Sequence, residues 1–232
     1  MFKKERDQRP MPGIFKTICL MVLLIIVEQL FPVFQLIGSQ IDFSSMGVVS
    51  VLVGTPLLIR WLNSYPRATS IELPRKSGKI IFKAWTVTFL LTIFWSLLMQ
   101  TIIAIFKITD ATNVSQNQEN LNSYMNSPVS FIFVALLAII IGPIIEEMVF
   151  RYLIMRPTPD QRKWVRWVLN SLSVSLFTLA HLAEQLFNTS LFNLINISGS
   201  YFILAGVLTY VYAKYRNLWL NIAIHASWNV LA

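Results

Sequence analysis

Two adjacent carboxylates at the end of an uncharged stretch are the side chains of this chain best suited to chemistry. Glu146 and Glu147 close a run, residues 129–145, that contains no charged side chain. An ionised carboxylate in hydrocarbon costs at least a few kcal/mol, so such residues persist where they are paired, hydrated or used. Arg151 lies four residues after Glu147, on the same helical face, whereas Glu146 lies about 100° further round. We therefore expect Glu147 to pair with Arg151 and Glu146 to face something else. Two interfacial glutamates beside a cytoplasmic arginine are the alternative.

Both histidines of the chain lie within apolar runs, and each shares a helical face with polar side chains. His225 has an asparagine four residues before it, Asn221, and another four residues after it, Asn229. The stripe predicted around His181, at spacings of three and four residues, consists of Ser171, Thr178, Gln185 and Asn188. Each histidine alone could be a hydrogen-bonded packing residue.

Polar groups within a helical bundle in lipid must satisfy one another or line a wet cavity. The simplest arrangement therefore has three helices facing one another around Glu146, His181, His225 and Asn229. A carboxylate, an imidazole and an amide suit the activation of a water molecule, with neutral donors stabilising an oxyanion.

Other kinds of catalytic site fit the sequence less well. Two histidines and a glutamate could bind zinc, although the helix-borne H-E-x-x-H pattern is absent. No serine has a recognisable nucleophile motif around it, and the single cysteine, Cys19, lies on a different predicted helix. The residues alone leave water activation with zinc and without zinc both open.

The elements that position these side chains are predicted to be membrane-spanning helices. Of the 232 residues, 55% are hydrophobic and only 13% charged, about half the charged fraction of a soluble domain. Several apolar runs can cross about 30 Å of hydrocarbon. All 19 Lys and Arg residues except Lys107 fall in the N-terminal tail and in alternate loops with their flanks. By the positive-inside rule this distribution predicts a cytoplasmic N-terminus. It also explains the net charge of +8 without a nucleic-acid partner.

We predict an all-α, polytopic transmembrane helix bundle with about seven spans, forming one integral membrane domain over residues 1–232. The first span is retained, since no small-residue cleavage site follows it. The predicted spans are residues 17–37, 46–62, 84–106, 129–151, 168–187, 194–212 and 218–232, with an outer loop at 110–127. Residues 129–232 carry all of the candidate site.

Three short motifs in residues 129–232 resemble the signature motifs of a known family. The family is CPBP, also called Abi, which comprises the CAAX-type and bacteriocin-processing intramembrane proteases. The motifs, in the order of the chain, are Glu146-Glu147-x-x-x-Arg151, Phe177-x-x-x-His181 and His225-x-x-x-Asn229. The segment with Gly206 and Asn217-Leu218-Trp219 ahead of the last motif is similar as well.

The resemblance implies an endopeptidase that works within the bilayer on membrane-associated peptides or proteins. It implies that Glu146 is the general base, assisted by His181, and that His225 and Asn229 stabilise the oxyanion. Three further residues, by the same resemblance, support the site: Glu147, Arg151 and Phe177. The resemblance does not settle the metal. We expect no obligatory cofactor, and if zinc binds, its ligands are Glu146, His181 and His225.

Two other classes of function remain open at this stage. A transporter or channel also uses buried carboxylates and histidines, but it would spread acidic residues over several spans of one pathway. Here they are concentrated in one pair. A non-catalytic role in bacteriocin self-immunity is the second alternative. The expected location is the cell membrane, with multiple passes. The substrate, whether a CAAX protein, a bacteriocin or pheromone precursor or another membrane protein, is not fixed by any residue.

Overall fold

The computed structural model describes residues 73–109, 111, 119, 131–132, 135–155, 162–183 and 185–231. Within these residues the chain is helical and has no strand. The helices are α1 (Ser77–Phe106), α2 (residues 137–153), α3 (Lys163–Leu182), α4 (Leu191–Tyr215) and α5 (Leu218–Asn229). The spans predicted at 17–37 and 46–62, and nearly all of the predicted outer loop, lie outside the described residues.

Two of the described helices are long and apolar enough to cross a membrane, α1 with 30 residues and α4 with 25. Most of α1 presents apolar side chains at the surface, among them Phe82, Phe89 and Phe94. Helix α4 packs against α1, α3 and α5 and is the more buried of the two. The all-α class predicted from the sequence is thus confirmed for the described residues.

Capping side chains set the beginnings of α4 and α5. The hydroxyl of Ser190 accepts the backbone N–H of Asn193 at 3.2 Å, and the side-chain oxygen of Asn217 accepts that of Leu220 at 2.9 Å. Both are N-cap contacts that satisfy otherwise unpaired donors. Because Ser190 caps it, α4 begins at Leu191 and not at the predicted residue 194.

The predicted polar stripe on α3 is wrong in its second half. The helix ends at Leu182, and the chain then turns, with the Gln185 and Leu186 amides both bonded to the Leu182 carbonyl. Gln185 and Asn188 therefore lie beyond the helix and cannot continue its face. The early part of the stripe also differs, because Ser171 is exposed while Ser173, two residues later, is fully buried.

Helix α2, which carries the two glutamates, is not a regular α-helix. Its α-helical turn, Gly142–Glu146, lies between two π-helical segments, Leu137–Ile141 and Glu147–Leu153. Pro143 lacks an amide hydrogen, and its ring opposes the carbonyl one turn earlier, so the turn before it widens. π-Helical turns of this kind are frequent at functional sites.

The first π-helical segment explains where Asn229 goes. A π-helical turn directs the carbonyl of Ala138 towards residue 143, which as proline has no hydrogen to donate. The side-chain amide of Asn229 donates to that carbonyl at 2.8 Å. The break in α2 is thus satisfied by α5, and this contact joins the two helices.

Contact between α1 and α4 is close at one point. The indole nitrogen of Trp95 donates to the carbonyl of Asn196 at 2.9 Å, and the ring lies over Gly199. A methyl group at position 199 would overlap the indole, so only glycine allows this approach.

Candidate active site

A fully buried ion pair lies at the base of the site. One guanidinium nitrogen of Arg151 donates to Glu147 Oε1 at 2.9 Å, and both side chains are completely removed from the surface. The second terminal nitrogen of Arg151 donates to the carbonyl of Ala205 on α4 at 3.3 Å. The pairing predicted from the four-residue spacing is therefore confirmed.

Asn221, on α5, completes the surroundings of Glu147. Its amide nitrogen donates to Glu147 Oε2 at 3.0 Å and to the carbonyl of Leu208 on α4 at 2.8 Å. Both amide hydrogens are thus used, and the side chain is fully buried. The sequence placed Asn221 on the face of His225, but the family motifs gave it no role, and its contact with Glu147 was not predicted.

The tautomer of His225 follows from its partner. Nδ1 of this ring lies 2.9 Å from Glu147 Oε1, and a carboxylate in an ion pair with Arg151 can only accept. Nδ1 therefore carries the hydrogen, and in the neutral ring Nε2 has a free lone pair. That Nε2 lies 3.8 Å from Glu146 Oε2.

His181 is oriented in the same way by a different group. Its Nδ1 lies 2.9 Å from the carbonyl of Phe177, one turn earlier on α3, and a carbonyl can only accept. Nδ1 again holds the hydrogen, and Nε2, again with a free lone pair, lies 3.6 Å from Glu146 Oε2. The structure thus brings together Glu146, His181 and His225 from three helices.

Three acceptors with no donor between them therefore face one another. Glu146 Oε2 is buried and has no hydrogen-bond partner among the described residues. Lone pairs that converge in this way repel one another unless a group that carries hydrogen or positive charge joins them. A water molecule, a shared proton or a cation meets that requirement. Glu146, unlike Glu147, is thus free to act on a small molecule.

Phe177 packs beneath these side chains and is fully buried. The ring of Phe177 stacks on the imidazole of His181 with centroids 4.4 Å apart. The guanidinium carbon of Arg151 lies 4.6 Å from the centroid of the same Phe177 ring. A cation over an aromatic face is favourable. Phe177 therefore links the ion pair to the histidine.

Asn229 has a partner that the sequence did not lead us to expect. One of its amide hydrogens is engaged by the Ala138 carbonyl. The reason is the π-helical break in α2, which no spacing in the sequence reveals. Only its second amide hydrogen remains for another acceptor.

The donor set could serve a metal, although no three His, Cys, Asp or Glu side chains in the described part of the chain are arranged as a complete metal site. Two imidazole nitrogens and a carboxylate are the donors that zinc takes in catalytic sites. Each histidine is held at Nδ1 by a carbonyl or a carboxylate, as zinc-ligating histidines usually are. Glu146, His181 and His225 therefore have the donor types of a zinc site, but the described structure does not arrange them as one.

The described part of the chain thus places a glutamate and two histidines among helices, two of which are long and apolar enough to cross a membrane. Residues 128–231 match a family described as Rce1-like, type II CAAX prenyl endopeptidase Rce1-like. Over these residues the chain resembles the CPBP family, which is the resemblance that its motifs predicted. The family is one of membrane proteases that act on peptides or proteins. No curated protein and no solved structure matches the chain.

Proposed function

We propose that this protein is an intramembrane endopeptidase of the CAAX type, which cleaves prenylated substrates near their C-terminal CAAX sequence. The observation that carries the proposal is the buried Glu146 Oε2, without a partner of its own, between the Nε2 atoms of two histidines. The family match names CAAX prenyl endopeptidases, which is why we choose this substrate class over bacteriocin precursors.

In the proposed mechanism one water molecule occupies the space beside Glu146 and His181. Glu146 Oε2 and His181 Nε2 are both acceptors 3.6 Å apart, so a single water can donate a hydrogen to each. Glu146 takes one proton as the water oxygen attacks the scissile carbonyl. That proton then passes to the amide nitrogen as the C–N bond breaks, which leaves a carboxylic acid and an amine; the acid then loses its proton to the amine, and a carboxylate and an ammonium ion result.

Charge on the tetrahedral oxyanion is met by His225 and Asn229. His225 can donate from Nε2 only when its ring carries a second proton, because Nδ1–H already faces Glu147 at 2.9 Å. The negative charge of Glu147, next to Nδ1, would stabilise the doubly protonated ring of His225. Asn229 would contribute the amide hydrogen that Ala138 does not use. Such donors are aimed at charge that develops only in the transition state.

We propose that this chemistry needs no metal. If zinc were bound, Glu146, His181 and His225 would hold it, and it would make a bound water more acidic. The test uses purified protein in liposomes with a farnesylated peptide ending in a CAAX sequence, before and after chelator treatment. We expect mass spectrometry to detect a released C-terminal peptide in both states.

The controls separate substrate class from metal. The same peptide without the farnesyl group should be cleaved at least ten-fold more slowly, because it lacks the membrane anchor. Equal release by wild-type protein and by protein with Glu146→Gln would overturn the proposed function. Activity that is lost with the chelator and restored by zinc would overturn only the metal-free mechanism.

We also propose seven spans with a cytoplasmic N-terminus, on the strength of the basic side chains that flank alternate loops. In a chain with Cys19→Ser, single cysteines at Asn117→Cys and Ser77→Cys are expected to react from opposite sides of the membrane. An impermeant thiol reagent added to intact cells should label the first and spare the second until the cells are opened. Labelling of both from one side would contradict the topology.

A further inference from the structure

The imidazole of His181 contacts two aromatic rings, and only one of them belongs to the family motifs. Phe177 stacks at a centroid distance of 4.4 Å and an interplanar angle of 28°. Tyr201, on α4, lies at 4.7 Å and 33°. The imidazole therefore contacts one ring from its own helix, which stacks on it, and one tilted ring from α4.

The two rings constrain the imidazole differently. Phe177 is on α3, one turn before His181, and it moves with the histidine when that helix moves. Tyr201 comes from α4, the helix whose Ala205 carbonyl also binds Arg151. The contact with Tyr201 therefore ties the plane of the imidazole to the helix that supports the ion pair.

Rotation of the imidazole is what this contact limits. The Nδ1 hydrogen bond to the Phe177 carbonyl fixes one edge of the ring, yet the ring can still tilt about that bond. Contact with rings from two different helices limits this tilt and keeps Nε2 towards Glu146, 3.6 Å away.

We propose that Tyr201 is a positioning residue that holds His181 in the orientation needed to share the attacking water with Glu146. This inference rests on the proposed function. The contact that carries it is made by the ring, so the ring and not the hydroxyl is the part that acts on His181.

The experiment measures kcat and KM for the farnesylated CAAX peptide with Tyr201→Leu and Tyr201→Phe. For Tyr201→Leu we expect kcat to fall about 10–100-fold, as displaced catalytic groups do, with KM within about two-fold because substrate binding is not touched. Tyr201→Phe, which keeps the ring, is expected to stay within about three-fold of the wild-type kcat. If the leucine variant fails to fold, Tyr201→Met supplies a non-aromatic side chain of similar volume.

The matched control is Phe202→Leu, the exposed aromatic neighbour on the same helix, for which we expect wild-type kinetics. Wild-type kcat in the leucine or methionine variant, or an equal loss in the phenylalanine variant, overturns the positioning role. A purely structural role would lower the unfolding midpoint and the active fraction without rescue by phenylalanine. If wild-type protein and Glu146→Gln protein cleave equally, the proposed function itself has failed, whatever the Tyr201 variants do.

Discussion

Replacing Glu146 with glutamine is expected to lower kcat by about 10²–10⁴-fold, the contribution of a positioned general base, while the unfolding midpoint stays unchanged. The carboxylate is the group that takes the proton of the water, and glutamine cannot accept it. The amide of glutamine would also donate towards the free Nε2 atoms of His181 and His225 and so fill the place of the water. Glu146 itself joins no helices by a hydrogen bond, which is why stability should not suffer.

The measurement is turnover of the farnesylated CAAX peptide beside a thermal unfolding curve in detergent. Glu119→Gln, at an exposed glutamate outside the site, is the matched control and is expected to keep wild-type kcat. Full turnover in the Glu146→Gln variant would show that the base is another group. A loss of turnover together with a large drop in the unfolding midpoint would show that Glu146 acts on the fold.

Replacing Glu147 with glutamine is expected to destabilise the protein by about 3–5 kcal/mol, the cost of leaving one member of a buried ion pair uncompensated. Arg151 would keep its charge at a fully buried position and retain only the carbonyl of Ala205 and the ring of Phe177 as partners. The expected observations are lower abundance in membranes and a lower unfolding midpoint. Activity would fall as well, since the neutral glutamine no longer gives His225 Nδ1–H a charged acceptor.

The matched comparison is a double-mutant cycle with Arg151→Met. Each single variant leaves one buried charge unpaired, whereas the double variant Glu147→Gln with Arg151→Met leaves none. We therefore expect the double variant to be more stable than either single variant, because removing both charges avoids the unpaired state. Strictly additive losses would contradict the view that the pair acts as one unit.

The parts of the site that could be predicted are those whose residues lie within about one turn of each other on the same helix. The pairing of Glu147 with Arg151 and the separate facing of Glu146 follow from spacing along one helix. Asn229 could not be placed, because its partner is a carbonyl of Ala138 freed by a π-helical turn. Tyr201 gave no signal either, since an aromatic residue in an apolar helix is equally suited to lipid or to a neighbouring ring.

The beginning of a helix is predictable from the sequence where an N-cap side chain marks it. Ser190 and Asn217 are ordinary N-cap residues, and they begin α4 and α5 where the structure has them. The end of α3 at Leu182 has no such signal, because apolar residues continue to residue 187. The hydrophobic pattern therefore predicted a helix that is too long. It placed Gln185 on a face of that helix, although Gln185 lies in the turn after the helix.

The close approach of Trp95 to Gly199 has a consequence for the boundaries of this protein as a unit. The family resemblance begins at residue 128, whereas Trp95 lies on α1, well before it. In a chimera that joins residues 128–231 to the first half of a distant relative, Gly199 would face the side chain that the relative has in place of Trp95. A small side chain in place of Trp95 would leave a cavity where the indole lies. A bulky side chain in place of Gly199 would displace the tryptophan. Positions 95 and 199 must therefore be exchanged together, and the portable module is larger than the segment that sequence comparison recognises.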